Sequence, residues 1–279
     1  MRSSSKVSGF MTTAEMETNR QPASADRSFA IEQLNVHVHR DAPALAAAAA
    51  SMAAEQVQRA LSEKQTAAII LATGQSQLAF LDLFLSQADI DWGRVTFFHM
   101  DEYLGLPPHH PASFQHYLQE RVERRVQCHQ FHYLEGQAAE PCTECDRYAA
   151  LLQAQPIDLC MLGIGNNGHL AFNDPPVAHF HDPYPVKIVK LDPICRQQQV
   201  DQGHFPSIDA MPAFALTLSI PTLCDSRRLI CIAQGEHKAE IVRTTLHGPI
   251  SPACPASILR RQPHGELLLD ADSARLLSH

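Results

Sequence analysis

The chain has 279 residues, 45% of them hydrophobic, which is enough to bury a sizeable core in one α/β domain. Its 22 Lys and Arg against 30 Asp and Glu leave a formal net charge of −8, which argues against nucleic acid or an anionic membrane as the partner. That balance does not exclude a small phosphate ligand, which needs only a few local donors.

Residues 1–30 are polar and rich in small side chains, without the apolar stretch of a secretory signal. They read as a disordered N-terminal extension, leaving 31–279 as a single domain. No later segment reaches the roughly 20 apolar residues that cross a bilayer, so a cytoplasmic location follows by default. LNVHVH (34–39) reads as a first strand, and the Ala-rich stretch 43–64 as a helix by propensity. TAAIILA (66–72) is a continuous apolar run of the kind buried on both faces of a sheet. An amphipathic helix at 76–87, a strand RVTFFHM (94–100) and a helix at 112–126 come next. After them stand a helix opened by Pro141 and a strand PIDLCMLGI (156–164). FALTLSI (214–220) and RLICIAQ (228–234) read as strands, 237–248 as a helix, and GELLLD (265–270) closes the series. The alternation predicts an α/β fold: a mostly parallel central sheet with helices on both faces. Ligands of such sheets bind outside the carboxyl ends of the strands.

The eight cysteines obey no framework spacing, and Cys160 and Cys231 lie inside apolar runs as small hydrophobes. Reduced thiols are expected. Cys142 and Cys145 form a CxxC with Cys128, His129 and His132 nearby, but Pro141 marks a helix start there and weighs against a zinc site.

Three loops after strands carry chemistry. In ATGQSQLAF, Gly74 permits a turn and Ser76 stands where a helix N-cap belongs, so exposed amides there could bind phosphate. In HMDEYLGLP, Asp101 and Glu102 point opposite ways on an extended chain, so one can face the crevice as a base while the other is structural. In GIGNNGHLAFNDPP, Gly163, Gly165 and Gly168 permit close backbone approach to a ligand. His169 is a proton shuttle near neutral pH, with Asp174 five residues on to orient it. GxGxxG occurs at 163–168, yet the segment HLAFNDPP after it opens no clean helix, so it is no nucleotide fingerprint. Arg196 and Lys238 could each reach a phosphate.

At these loops the sequence resembles the glucosamine-6-phosphate deaminase family, which is related to the 6-phosphogluconolactonases. The resemblance runs from about residue 35 to the end and is carried by LATGQSQ, FFHMDEYLGLPPHHPASFQHYL, LGIGNNGHLAFNDP, GEHKAEIV and PASIL. It implies the Rossmann-like α/β fold of that family, no metal and no organic cofactor, and a small sugar phosphate as partner. It implies Asp101 as the base, His169 as the ring-opening group, and Asp174 in a relay around that histidine with Asn167 beside it. Thr73, Gly74, Gln75 and Ser76, with Arg196 and Lys238, would hold the phosphate, and Glu102 and Gly165 are counted with the substrate pocket. Two departures stand out. Asn167 replaces the acid found before the Gly–His in hexameric members, and the relay acid is Asp174 rather than Glu. The implied activity is conversion of glucosamine 6-phosphate to fructose 6-phosphate and ammonia. The alternatives are a lactonase-like hydrolase, a galactosamine-6-phosphate deaminase and a non-catalytic sugar-phosphate sensor. Monomer and homo-oligomer stand equal.

Overall fold

The structure is a computed structural model and describes residues 25–201 and 203–277. In chain order its strands are β1 (Arg27–Ile31), β2 (Leu34–His39), β3 (Ala67–Leu71), β4 (Val95–His99), β5 (Asp101–Tyr103), β6 (Gln130–His132), β7 (Leu159–Gly163), β8 (Val186–Lys190), β9 (Phe214–Leu218), β10 (Leu229–Ala233) and β11 (Gly265–Asp270). The helices are α1 (Ala42–Lys64), α2 (Leu78–Phe84), α3 (Phe114–Leu118), α4 (Pro141–Gln153), α5 (Pro193–Asp201), α6 (Ile220–Cys224) and α7 (Ala239–His247).

Eight strands form one sheet in the order β1-β2-β11-β10-β7-β3-β4-β6. Every pairing in it is parallel except β1 with β2. Strands β3, β4 and β10 are buried at every position, which is why β3 and β10 read as unbroken apolar runs. Alternate residues feed two separate cores. Ile69, Phe97, Met161 and Ile232 pack against α1, α2 and α3 on one face, while Ile70, Phe98, Leu162 and Cys231 pack against α4, α6 and α7 on the other. Each fully buried Leu, Ile or Phe contributes roughly 1.5–3 kcal/mol. Asp41 starts α1 by accepting from the Ala44 amide at 2.8 Å, and Gln65, left-handed at φ 67°, ends it.

Among the described residues, no helix is long and apolar enough to cross a membrane. The mostly parallel α/β architecture is the one expected. Three details differ. Residues 27–31 are a strand, so the extension read over 1–30 gives way to the sheet by Arg27; residues 1–24 lie outside the described residues. The strand escaped notice because its partner β2 supplies the ladder, while only Phe29 and Ile31 lean on the core. FALTLSI does not join the main sheet. Its residues 214–218 are β9, the middle of a three-stranded antiparallel sheet β5-β9-β8. A buried antiparallel strand and a buried parallel one have the same composition, so the apolar run could not separate them. Finally, the helix expected over 112–126 is α3 continued by a π-turn at Gln119–Glu123.

Candidate active site

Strands β10, β7 and β3 are neighbours in the sheet, so the loops at their carboxyl ends meet. After β3, Gly74 turns the chain at φ 105° into a 3-10 turn, Gln75–Gln77, that leads into α2. After β10, Gly235 does the same at φ 86° into Glu236–Lys238 and α7. Only glycine takes this backbone without strain. Ser76 is not the cap expected of it, because Gly74 holds that position and Ser76 lies inside the turn. Tyr117 of α3 donates its hydroxyl to the Gly74 carbonyl at 3.1 Å. Gln77 donates to the Leu162 carbonyl of β7 at 3.4 Å and to Ser76 Oγ at 3.2 Å. Lys238 reaches across to Asn166 Oδ1 at 2.7 Å. Thr73 to Ser76, the loop 163–166 and Lys238 are thereby gathered at one sheet edge. Burial pulls the Lys238 ammonium below its ordinary range.

The loop after β7 is folded around His169. A side chain at Gly165 would come within 2.2 Å of the His169 ring, so only glycine lets the imidazole lie there. The place of Gly165 is beneath the histidine. Gly168, at φ 85°, and the left-handed Ala171, at φ 51°, complete the turn. His169 Nδ1 is 2.8 Å from Asn167 Oδ1 and 2.9 Å from Asp174 Oδ1. Asn167 Nδ2 donates to the same Asp174 oxygen at 2.8 Å, and the Cys195 thiol approaches it at 3.2 Å. Burial alone would raise the Asp174 carboxyl, but the hydrogen bonds from His169, Asn167 and Cys195, with the charge of His169, hold it below the usual carboxylate range. His169 Nε2 has no hydrogen-bond partner among the described residues and is left for a ligand.

Asp101 and Glu102 begin β5, where the chain leaves β4 for the second sheet. They do have different surroundings. Glu102 accepts from the amides of Tyr103, Phe114 and Gln115 and from Ser113 Oγ, at 2.8 to 3.2 Å. It fastens the start of α3 to β5, and the donors that reach its oxygens come from the protein. Asp101 has no side-chain hydrogen bond among the described residues and is only 6% exposed. Burial first, then the charge of Glu102, drives its carboxyl well above the ordinary range.

β9 couples Asp101 to the histidine loop. Asp101 pairs with Thr217, and Thr217 Oγ1 accepts from the Phe172 amide at 3.1 Å. Asn173 Nδ2 donates to the Leu218 carbonyl at 2.9 Å, while the Leu218 amide donates to the Met100 carbonyl at 2.8 Å. Asp101 and the end of the histidine loop, at Phe172 and Asn173, are thus held by two consecutive residues of one strand.

The sequence profile of the glucosamine-6-phosphate isomerases/6-phosphogluconolactonase family matches residues 40–183. A glucosamine-6-phosphate deaminase of Exiguobacterium sibiricum is 36% identical over 210 residues, 75% of this chain and 80% of that protein. One of Listeria monocytogenes is 30% identical across 82% of this chain and 96% of its own length. The chain belongs to this family. Among solved structures, a monomeric glucosamine-6-phosphate deaminase superimposes with a TM-score of 0.79 at 31% identity, covering 86% of this chain and 99% of that one. A 6-phosphogluconolactonase of Shewanella baltica, at 21% identity and a TM-score of 0.70, shares the fold.

Not every predicted residue of the family site joins the cluster. Arg196 in α5 gives its guanidinium to the Ile208 and Met211 carbonyls, at 2.5 and 2.7 Å, with Nε buried and unpartnered. Sequence reasoning missed the roles of Asn166, Asn173 and Thr217, which position the loops rather than the chemistry. Asn166 and Asn173 lie inside GIGNNGHLAFNDPP, but their partners are distant in sequence. Cys195 was also missed, as one apolar-looking residue before Arg196. His169, Asp174 and Cys195 bring a nitrogen, an oxygen and a sulfur within 4.8 Å of one another. The Asn167 amide is hydrogen-bonded to all three, so the space between them is already bridged by protein.

Proposed function

We propose that this chain is a glucosamine-6-phosphate deaminase, converting glucosamine 6-phosphate and water to fructose 6-phosphate and ammonia. One observation carries the reading: at the carboxyl end of the sheet, one strand holds both Asp101, a buried carboxylate unpartnered among the described residues, and the loop that carries the His169–Asp174 relay, through Phe172 and Asn173. A lactone hydrolase needs the histidine to activate water and has no use for Asp101.

The chemistry is built from that geometry. His169 moves the proton between the C1 hydroxyl and the ring oxygen through Nε2, while Asp174 and Asn167 hold Nδ1. Asp101 then takes the proton from C2 and returns it to C1. Its raised carboxyl makes it a stronger base than an ordinary carboxylate. Water adds at C2 of the resulting imine and ammonia departs. The amides at 74–76 and the Lys238 ammonium anchor the phosphate, and Arg196 joins them by leaving its two carbonyls. That binding energy positions the reacting end. A cytoplasmic enzyme acting on a small sugar phosphate agrees with the acidic net charge and the free cysteines.

The deciding experiment incubates the purified protein with glucosamine 6-phosphate and tracks ammonia and fructose 6-phosphate together. Equal release of both is expected. Hydrolysis of 6-phosphogluconolactone without ammonia release would assign the chain to the other branch of the family.

A further inference from the structure

Cys195 stands at the relay without any role in the chemistry described. It lies in α5, half-buried, with its amide on Asp192 Oδ1 at 3.2 Å. Its sulfur is 3.2 Å from Asp174 Oδ1 and 3.4 Å from Asn167 Nδ2. The protons can be placed. Asn167 Nδ2 also donates to Asp174, so the nitrogen end of that amide faces the thiol and the sulfur accepts. The thiol hydrogen then has Asp174 Oδ1 before it. Burial, and then the Asp174 charge, push the thiol up to about 12, so it stays protonated as a donor.

We propose that Cys195 is a positioning residue of the His169–Asp174 relay, its thiol donating to the carboxylate while its lone pair locks the Asn167 amide with oxygen toward the histidine. The need for it is local. Asp174 is one methylene shorter than a glutamate, and Asn167 brings no charge, so the orientation of both depends on neighbours. Cys195 supplies the third donor at one oxygen and reaches both members from outside their own loop. The other ionisable groups facing the thiol are Asp192 at the start of the same helix and Tyr103 on β5. Cys195 acts through Asp174 and not by touching substrate. The kinetic part of this inference rests on the deaminase reading.

The test compares Cys195→Ala and Cys195→Ser with wild type. Kinetics of ammonia release and thermal melts are recorded across pH, and the S–H stretching band of Cys195 is isolated as the infrared difference between wild type and Cys195→Ala. The alanine variant is expected to lose roughly three- to tenfold in kcat with KM unchanged. Its stability falls less on acidification than that of wild type, because Asp174 loses a donor and its carboxyl rises. Serine, which keeps donor and acceptor, restores most of the rate. The S–H band lies below the frequency of a free thiol. An alanine variant with wild-type kcat and pH profile overturns the proposal, as does a free-thiol S–H frequency or a serine variant as impaired as alanine. Wild type that releases no ammonia sinks the functional reading instead, and the infrared band then still decides whether the thiol is bound to Asp174.

Discussion

Asp101 and Asp174 are both buried and both lie at the carboxyl end of the main sheet, yet their surroundings drive them apart. Asp101 is 6% exposed, meets no donor among the described residues, and has its carboxyl driven up. Asp174 is 1% exposed, collects three donors on one oxygen, and has its carboxyl held down. Both are shielded from solvent, so hydrogen-bond donors and neighbouring charges, Glu102 beside Asp101 and His169 beside Asp174, set the two carboxyls apart. Glu102 sits between the extremes. Burial still raises its carboxyl, but four donors commit it to holding α3 in place.

The sharpest way to break this contrast is to neutralise Asp101. Asp101→Asn should lower kcat by about 10³-fold or more while sugar-phosphate binding survives in calorimetry. Turnover within tenfold of wild type would move the base elsewhere. The same variant should melt higher than wild type at neutral pH. A carboxyl raised in the folded state favours folding while protonated, and that contribution is lost as pH rises through the folded value. Correspondingly, wild-type kcat/KM should fall on acidification at a pH clearly above that of an ordinary carboxylate. A limb at about 4 would show that Asp101 is not the titrating group.

Asp174→Asn attacks the other side of the contrast. It removes the anion that holds His169 Nδ1, with an expected loss of about 10²-fold in kcat and little change in KM. Its stability signature has the opposite sign. A lowered carboxyl stabilises the fold above its unfolded value and loses that contribution as pH falls, so the variant should lose less stability on acidification than wild type in melts across pH.

Smaller effects are expected away from these two groups. Lys238→Ala should raise KM by roughly tenfold and change kcat less, because its charge acts on a group that does not react. An unchanged KM would remove Lys238 from the phosphate site. Glu102→Gln should leave kcat within about threefold and lower stability by roughly 1–3 kcal/mol, since its acceptors serve backbone amides. A large kcat loss with an unaltered melting temperature would place Glu102 in the substrate pocket.

Much of this was legible in the chain. The unbroken runs AAIIL and LICIA, rich in β-branched residues and too short for a buried helix, announce strands buried on both faces. The glycine turns and the DEY and NGHLAFND segments mark the loops, because tight backbone approach and proton transfer each demand particular residue types at particular places. The order of the sheet was not legible, nor was the transfer of FALTL to a second sheet, because apolar composition records burial and not the direction of a neighbour. The division of labour between Asp101 and Glu102 was foreseen as a difference but not resolved. It is set by Ser113 and the first amides of α3, eleven to thirteen residues away. Cys195 lies twenty-one residues from Asp174 and touches it only once α5 has folded back over the histidine loop. Residue type and spacing thus determined which groups could do the chemistry. Only the tertiary structure decided which carboxylate is left without donors, because donors come from whatever the fold brings near.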